Sequence, residues 1–242
     1  MEIIFLGTGV TVSKRAGASV FIRTDRDMVF DLGPRSLWNM ELAKIDRNSM
    51  DDIFITHLHA DHYSDFLIFY FEATAFGRKG SLNVYGPKGC AKVLDAIRAF
   101  PINETAKFET RINEVAGGEI MLGKTIITAQ KVKHDPGLAA LAYRIEYDGK
   151  SVVYSGDSTH CPELIEICKK ADVAILEAAH IKPHSKHMTP WEAGDVAEKA
   201  KVKKLVLTHL YPDSDGADIV KMTKEKFSGE VIKAEDLMRI KI

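Results

Sequence analysis

Ile53-Phe54-Ile55-Thr56 running into His57-Leu58-His59-Ala60-Asp61-His62 is the stretch that decides the reading of this chain. The first four residues are apolar or β-branched and read as a strand. The next six hold three imidazoles and a carboxylate, which reads as a strand end opening into a polar loop. Imidazole and carboxylate are borderline and hard donors suited to divalent first-row cations. His57 and His59, two apart in an extended segment, point the same way and could share one ion, while Asp61 and His62 could turn toward a second. The competing reading is a polar loop in which histidines merely cluster. It is opposed by the ionisable residues that recur at strand ends farther along the chain.

Working outward, short β-rich runs at 3–6, 19–23, 28–31 and 52–56 are separated by glycines 7, 9, 17 and 33. Helical patterns are expected over 34–45, 66–76 and 88–99, the last opening after Gly86-Pro87, where proline suits a first turn. Strands are expected over 125–132, 139–147 and 151–155, with Asp148-Gly149 as a hairpin turn between the last two. From residue 162 the pattern alternates: helix 162–170, strand 173–176, helix 190–201, strand 205–207, helix 217–227. This is α/β architecture. No Pro/Ser-rich linker interrupts it, so one domain is expected over 1–242. Four strand ends carry ionisable groups: Thr56-His57, Ser155-Gly156-Asp157, Leu176-Glu177 and Thr208-His209. Loops at strand ends converge on ligands, so these four predict one shared pocket.

The composition bounds what that pocket can serve. A chain of 242 residues, 45% hydrophobic and 28% charged, has the profile of a globular fold and not of a disordered or fibrous one. Lys and Arg number 33 against 34 Asp and Glu, a net charge of −1. No bulk field draws the protein to nucleic acid or anionic lipid, and a polyanionic substrate would need a local site. The three cysteines, Cys90, Cys161 and Cys168, include no Cys-x-x-Cys pair, which predicts a reducing, cytoplasmic setting. The apolar opening 1–7 lacks the features of an export signal. The stretch 66–76 is broken by Glu72 and falls short of a membrane span.

The chain resembles the metallo-β-lactamase superfamily. The resemblance rests on His57-x-His59-x-Asp61-His62, on His134 in Lys133-His134-Asp135, on Asp157 in Ser155-Gly156-Asp157-Ser158, and on His209 in Leu207-Thr208-His209-Leu210. It implies a four-layer αββα sandwich and two divalent ions per chain, with zinc favoured and manganese or iron as alternatives. Carried over residue by residue, His57, His59 and His134 would hold one ion, and Asp61, His62 and His209 the other. Asp157 would bridge them. Histidine at position 59 resembles the hydrolases rather than the oxygen-reducing diiron branch. Within the superfamily the chain looks like the ribonuclease Z group, through Phe5-Leu6-Gly7-Thr8-Gly9, Leu141-Ala142-Tyr143-Arg144-Ile145, Glu177, and His187-Met188-Thr189. The long basic arm usual in tRNA-processing members has only residues 146–150 in its place, and Tyr63-Ser64-Asp65 replaces a glycine-leucine-proline-rich stretch. These departures resemble small relatives that cleave cyclic or low-molecular-weight phosphodiesters.

The implied activity is a dinuclear, metal-dependent phosphodiesterase using a bridging hydroxide. Its substrate would be a small or cyclic phosphodiester or a nucleic-acid end. Asp61 would share in catalysis as a charge-reducing carboxylate, His187 would protonate the leaving oxygen, and Glu177 would orient His187. The alternatives are a lactone or thioester acyl hydrolase with the same ligands, and a metal-binding module without turnover. Among the remaining residues, His160, His180 and His184 are expected to be solvated loop histidines. Gly7-Thr8-Gly9 could cradle phosphate or let the first loop approach the metals. Asp135 could support the site or lie on the surface, and Arg78, Lys79 and Lys201 to Lys204 read as surface. Phe66, Phe69, Tyr70 and Phe76 form an aromatic stripe near an element at which related enzymes dimerise, which points either to a homodimer or to packing inside the monomer.

Overall fold

The computed structural model describes residues 1–99 and 106–242. The first sheet collects β1 (Glu2–Gly7), β2 (Ser19–Arg23), β3 (Asp27–Phe30), β4 (Asp52–Phe54), β5 (Leu82–Gly86) and β6 (Thr110–Glu114). The second collects β7 (Gly118–Leu122), β8 (Thr125–Val132), β9 (Ala140–Tyr147), β10 (Lys150–Tyr154), β11 (Val173–Glu177), β12 (Lys204–Thr208) and β13 (Glu230–Lys233). β14 (Arg239–Lys241) returns to the first sheet beside β1. Among the described residues each sheet has seven strands, ordered β14-β1-β2-β3-β4-β5-β6 and β13-β12-β11-β10-β9-β8-β7. Both are mixed: β3 to β6 pair in parallel, as do β10 to β13, and the remaining pairs are antiparallel.

Three apolar clusters define the layers. Between the sheets, Phe5, Phe30 and Phe54 of the first meet Tyr143, Tyr154 and Val206 of the second. Phe30 and Phe54 stack at 4.7 Å, and Tyr143 meets Phe54 edge-on at 5.3 Å. Outside the first sheet lie α1 (Ser36–Leu42), α2 (Asp65–Ala75) and α3 (Cys90–Arg98), burying Leu37, Met40, Phe66, Phe69 and Leu94. Outside the second lie α4 (Pro162–Cys168), α5 (Pro190–Ala200) and α7 (Ile219–Lys224), which bury Leu164, Ile167, Val196, Ala197 and Ile219. The short α6 (Pro212–Asp215) precedes α7. The result is the expected helix-sheet-sheet-helix sandwich.

The expected elements lie within three residues of the observed ends, because their signals were local: Pro190 after the N-cap Thr189, and Asp148 and Gly149 both in the left-handed region between β9 and β10. That two-residue turn closes the β9–β10 hairpin. β5, β6, β7, β13 and β14 are outside the expected set; β6 and β7 are largely exposed edge-region strands, β6 without an apolar run and β7 with only Ile120-Met121-Leu122. The aromatic stripe divides. Phe66, Phe69 and Tyr70 enter the core, while Phe76 is 82% exposed. Arg78 is not a surface residue. It is buried, and its guanidinium bonds Asp51 Oδ1 at 2.6 Å and the carbonyls of Gly80 and Ser81 at 3.0 Å, tying the turn after α2 to the entry of β4. Lys79, Lys201 and Lys203 are exposed, as expected. The cysteines are all buried and free.

Candidate metal centre

The site is assembled at one end of the sandwich from loops leaving four strands. His57 lies three residues beyond β4, and a single 3-10 turn, Ala60–His62, follows and presents Asp61 and His62. His134 follows β8, Asp157 follows β10, and His209 directly follows β12 with its backbone in the left-handed region at φ 58°. Gly156 also has a left-handed φ of 54°, and a Cβ there would stand 2.6 Å from Thr56 Cβ. Only glycine lets the Asp157 loop approach the His57 loop this closely.

All seven expected metal-ligating residues converge. Donor atoms of His57, His59, His134 and Asp157 form one group, and those of Asp61, His62 and His209 a second, within 4.8 Å of one another in each. Asp157 stands between them. Its Oδ2 faces His57 Nε2 at 3.7 Å and His134 Nε2 at 3.8 Å, while its Oδ1 faces His62 Nε2 at 3.3 Å and His209 Nε2 at 3.2 Å. Asp61 Oδ2 completes the second group, 3.6 Å from His209 Nε2. His59 Nδ1 lies 3.2 Å from His134 Nε2 in the first.

The second nitrogen of several rings is already engaged. His134 Nδ1 donates to the carbonyl of Lys186 at 2.8 Å, and His62 Nδ1 donates to Asp31 Oδ2 at 2.7 Å. His57 Nδ1 is 3.1 Å from Thr56 Oγ1. Each bond directs Nε2 inward, the orientation that metal-binding imidazoles require once the cation has displaced any proton there. His57 Nε2 and Asp157 Oδ1 are buried and have no hydrogen-bond partner. Unpartnered buried polar atoms are costly, and a cation among them would satisfy both. Burial opposes charge on His62, but Asp157 and Asp31 outweigh it and hold its imidazolium well above the ordinary range. Burial pushes Asp61 upward, but its bond to His209 and the charge of His62 win, bringing it down to about 2. The pocket is thus built around ionised carboxylates that hold protons where a cation could displace them. The donor set fits divalent metal ions.

Beside this cluster Glu177, at the end of β11, is fully buried. Its oxygens accept from Ser158 N at 2.6 Å, Met188 N at 3.2 Å and His187 Nδ1 at 3.1 Å. Burial, then the charge of Asp157, raises its carboxyl well above the usual range, and burial lowers the His187 imidazole. His187 Nδ1 is committed to Glu177, which leaves Nε2 free. His187 also forms a donor group with Asp157 and His209.

The remaining histidines and loop residues divide by position. His160 bonds Asp195 at 2.6 Å, away from the cluster. His184 is an exposed loop residue, as expected, and His180 is half-buried; their rings lie 5.2 and 5.7 Å from that of His187. Gly7-Thr8-Gly9 is no phosphate cradle. The Thr8 N–H donates to Asp236 and the Gly9 N–H to the carbonyl of Ala16, while a Cβ on Gly7 would stand 1.7 Å from Gly17 O. The glycine serves close loop packing. Asp135 lies 3.8 Å from His59 and pairs with Lys186, so it supports the site's edge.

Asp31 was missed. It is fully buried at the end of β3 with φ 61°, and it receives Thr56 N and Oγ1 at 2.8 Å, His62 Nδ1 at 2.7 Å and Tyr154 OH at 3.0 Å. Its signal was present in Phe30-Asp31, a carboxylate at a strand end like the others. Tyr211, with its ring 5.9 Å from His209, was missed too; burial and the charge of Asp157 push its hydroxyl up to about 12.

Known proteins resemble this chain over its whole length. A ribonuclease Z from Methanosarcina mazei is 28% identical, with 100% of this chain and 98% of that protein aligned. One from Archaeoglobus fulgidus is 29% identical, with 100% and 97% aligned. The first alignment spans 302 positions against 242 residues here, so 60 positions of the relative have no counterpart in this chain. Among solved structures, the metallo-β-lactamase fold protein YhfI of Bacillus subtilis superposes with a TM-score of 0.84 at 23% identity, covering 99% of this chain and 98% of that one. The short form of human tRNase Z gives 0.81 at 21% identity, covering 100% and 99%. The model of the beta-lactamase superfamily domain matches residues 27–210, most of the chain, and the protein belongs to that superfamily.

Proposed function

We propose that the chain is a metal-dependent phosphodiesterase of one domain, 1–242. The observation that carries this reading is Asp157, each of whose oxygens faces a separate set of imidazoles. The seven residues His57, His59, Asp61, His62, His134, Asp157 and His209 would hold two divalent ions, with zinc favoured by the imidazole-rich set and manganese or iron able to serve. When bound, such ions acidify a water to near-neutral pH and neutralise charge on phosphoryl oxygens. The chain's own part is to fix that geometry, to exclude stray water and to supply a proton. His187, oriented by Glu177, presents Nε2 to the leaving oxygen, and the Glu177–His187 pair is the feature that separates this reading from acyl hydrolysis.

The substrate is a small or cyclic phosphodiester or a nucleic-acid end; the ribonuclease Z relatives support phosphodiester chemistry, and the tight turn at Asp148-Gly149 supports a substrate that needs no arm. A cytoplasmic location is supported by three free, buried cysteines. No helix among the described residues is long and apolar enough to cross a membrane. The test is a panel of chromogenic phosphodiester, phosphomonoester, lactone and thioester substrates, run with zinc, with manganese and without added metal. Metal-dependent turnover should be confined to the phosphodiesters. Rapid lactone opening with phosphodiesters untouched would transfer the protein to the acyl hydrolases.

A homodimer is part of this proposal. Trp38 (66% exposed) and Leu42 (52%) of α1 and Ile68 (49%), Phe71 (48%) and Phe76 (82%) on and after α2 are exposed apolar side chains, and a groove between these helices combines Ile45, Phe69 and Ala73 with the charged Glu41, Arg47 and Glu72. Exposed apolar side chains on two neighbouring helices support an association site, with a second copy as its occupant. Light scattering at micromolar concentration should give twice the chain mass. Phe76→Ser with Trp38→Ser should give the monomer with its fold intact; a monomeric wild type removes the proposal.

A further inference from the structure

The ring of His209 has no side chain or carbonyl behind it. Its Nδ1 is buried without a hydrogen-bond partner among the described residues, whereas His62 Nδ1 bonds Asp31 and His134 Nδ1 bonds the Lys186 carbonyl. Metal-binding imidazoles usually rely on such a partner to fix the ring. His209 is instead placed by its backbone, which has a φ of 58° and is tied down on both sides. The Thr208 carbonyl accepts the Ala178 N–H at 3.0 Å, and the Leu210 N–H donates to the Thr8 carbonyl at 2.9 Å. The second of these bonds seats His209 on the loop between β1 and β2, residues 8–18.

Asp61 leans on the same loop. A Cβ on Gly17 would stand 3.1 Å from the Asp61 carbonyl oxygen, and the Gly9 N–H donates to the Ala16 carbonyl at 2.9 Å, closing the loop on itself. Two donors of the second group, Asp61 and His209, therefore rest on one loop. In the first group His57 and His134 are held elsewhere, by Thr56 and by the Lys186 carbonyl.

The loop is fixed in turn by Asp236, in the connection between β13 and β14. Asp236 Oδ1 accepts the Thr8 N–H at 3.0 Å and the Thr8 hydroxyl at 2.7 Å, and Oδ2 accepts the Ala16 N–H at 2.7 Å. Arg15 Nη1 donates to the Thr8 hydroxyl and to the Ala234 carbonyl, both at 2.8 Å, while its Nη2 pairs with Asp215 at 2.7 Å. Thr8 and Arg15 are buried. Hydrogen bonds to a charged partner are the stronger kind, and removing one side leaves buried donors unmet. One carboxylate thus holds the loop at two points, at Thr8, which binds Leu210, and beside Gly17, which abuts Asp61.

We infer that Asp236, acting through Thr8 and the 8–18 loop, is a positioning residue for the second donor group, Asp61, His62 and His209, although it touches none of them. The inference rests on the reading of the site as two metal positions and adds that one position alone depends on the C-terminal connection.

Zinc titration against a chelating dye tests this without turnover. His134→Ala deletes a donor of the first group and leaves the second intact; His209→Ala does the reverse. Adding Asp236→Ala should lower the zinc affinity of the His134→Ala protein about 10- to 100-fold, the range for losing a group that orients a metal ligand, and that of the His209→Ala protein by less than about threefold. A residue that only stabilised the fold would move both alike or neither. Thr8→Ser, which keeps the hydroxyl, should leave the second position at its original affinity, and Thr8→Val should weaken it. Asp236→Asn keeps an acceptor for Thr8 and loses the one for Ala16, so it carries the same selective loss if the alanine variant does not fold. Equal effects in the two backgrounds, with two zinc ions bound to wild type, overturn the inference. Fewer than two ions on wild type would remove the two-position reading and this inference with it.

Discussion

Asp157→Ala is expected to empty the site. Wild-type protein purified without chelators should carry close to two divalent ions per chain, because two donor groups meet at this one carboxylate. The variant should carry fewer than one. Removing the shared oxygens weakens both positions together, and it leaves five imidazoles facing one another with less negative charge to draw a cation in. Turnover should fall by about 10³ or more, since metal stabilisation of transition-state charge is worth several kcal/mol and each ~1.4 kcal/mol is tenfold. Stability gives a second readout. Ions held at about 1,000 times their Kd stabilise the folded state by about 4 kcal/mol, or about 10 °C in Tm for a chain of this size. Chelator should therefore lower the wild-type Tm by about that much and leave the variant's almost unchanged. Unaltered metal content in Asp157→Ala, by elemental analysis, would show that the ligands have been assigned wrongly.

This centre was legible in the sequence because its ligands sit at ends of apolar runs, where composition changes abruptly. Ile53-Phe54-Ile55 gives way to His57, and Leu205 to Leu207 to His209; the apolar run marks the strand and the first polar residue marks the loop. The surroundings of the ligands were harder to see. Asp31 is one acidic residue among 34 Asp and Glu, and its role depends on β3 lying beside β4, a pairing that no local pattern states. Arg78 reads as solvent-facing beside Lys79 and Gly80, but the turn after α2 has carbonyls that only a buried guanidinium reaches. The same limit applies to the aromatic residues 66 to 76. Helical spacing separates Phe66, Phe69 and Tyr70 from Ile68 and Phe71, yet which face meets the sheet is a tertiary fact. The edge strand β6 (Thr110–Glu114) has no apolar run, and in β7 the three apolar residues Ile120 to Leu122 are too short a run to mark a strand; both form through pairing with β5 and β8.

His187→Ala should separate proton donation from every other contribution to the reaction. The His187 ring is held by Nδ1 against Glu177 at 3.1 Å, with Nε2 left for a substrate oxygen. An alkoxide leaves a phosphoryl group slowly unless it is protonated as the bond breaks, whereas a nitrophenolate is stable enough to leave unaided. The variant should therefore lose about 10² to 10⁴ in turnover on an alkyl or nucleotide phosphodiester and far less on bis-nitrophenyl phosphate. Its metal content should match the wild type, since the seven converging donors exclude His187. Glu177→Gln tests the same pair from the other side: it keeps the size and one acceptor but replaces the second carboxyl oxygen with an amide, so the His187 ring is held less firmly. Its loss should follow the same leaving-group order and be smaller. Equal losses on both substrates would make His187 a binding group. Metal loss in His187→Ala would place it among the ligands, in keeping with the donor group it forms with Asp157 and His209, and the proton would then need another source.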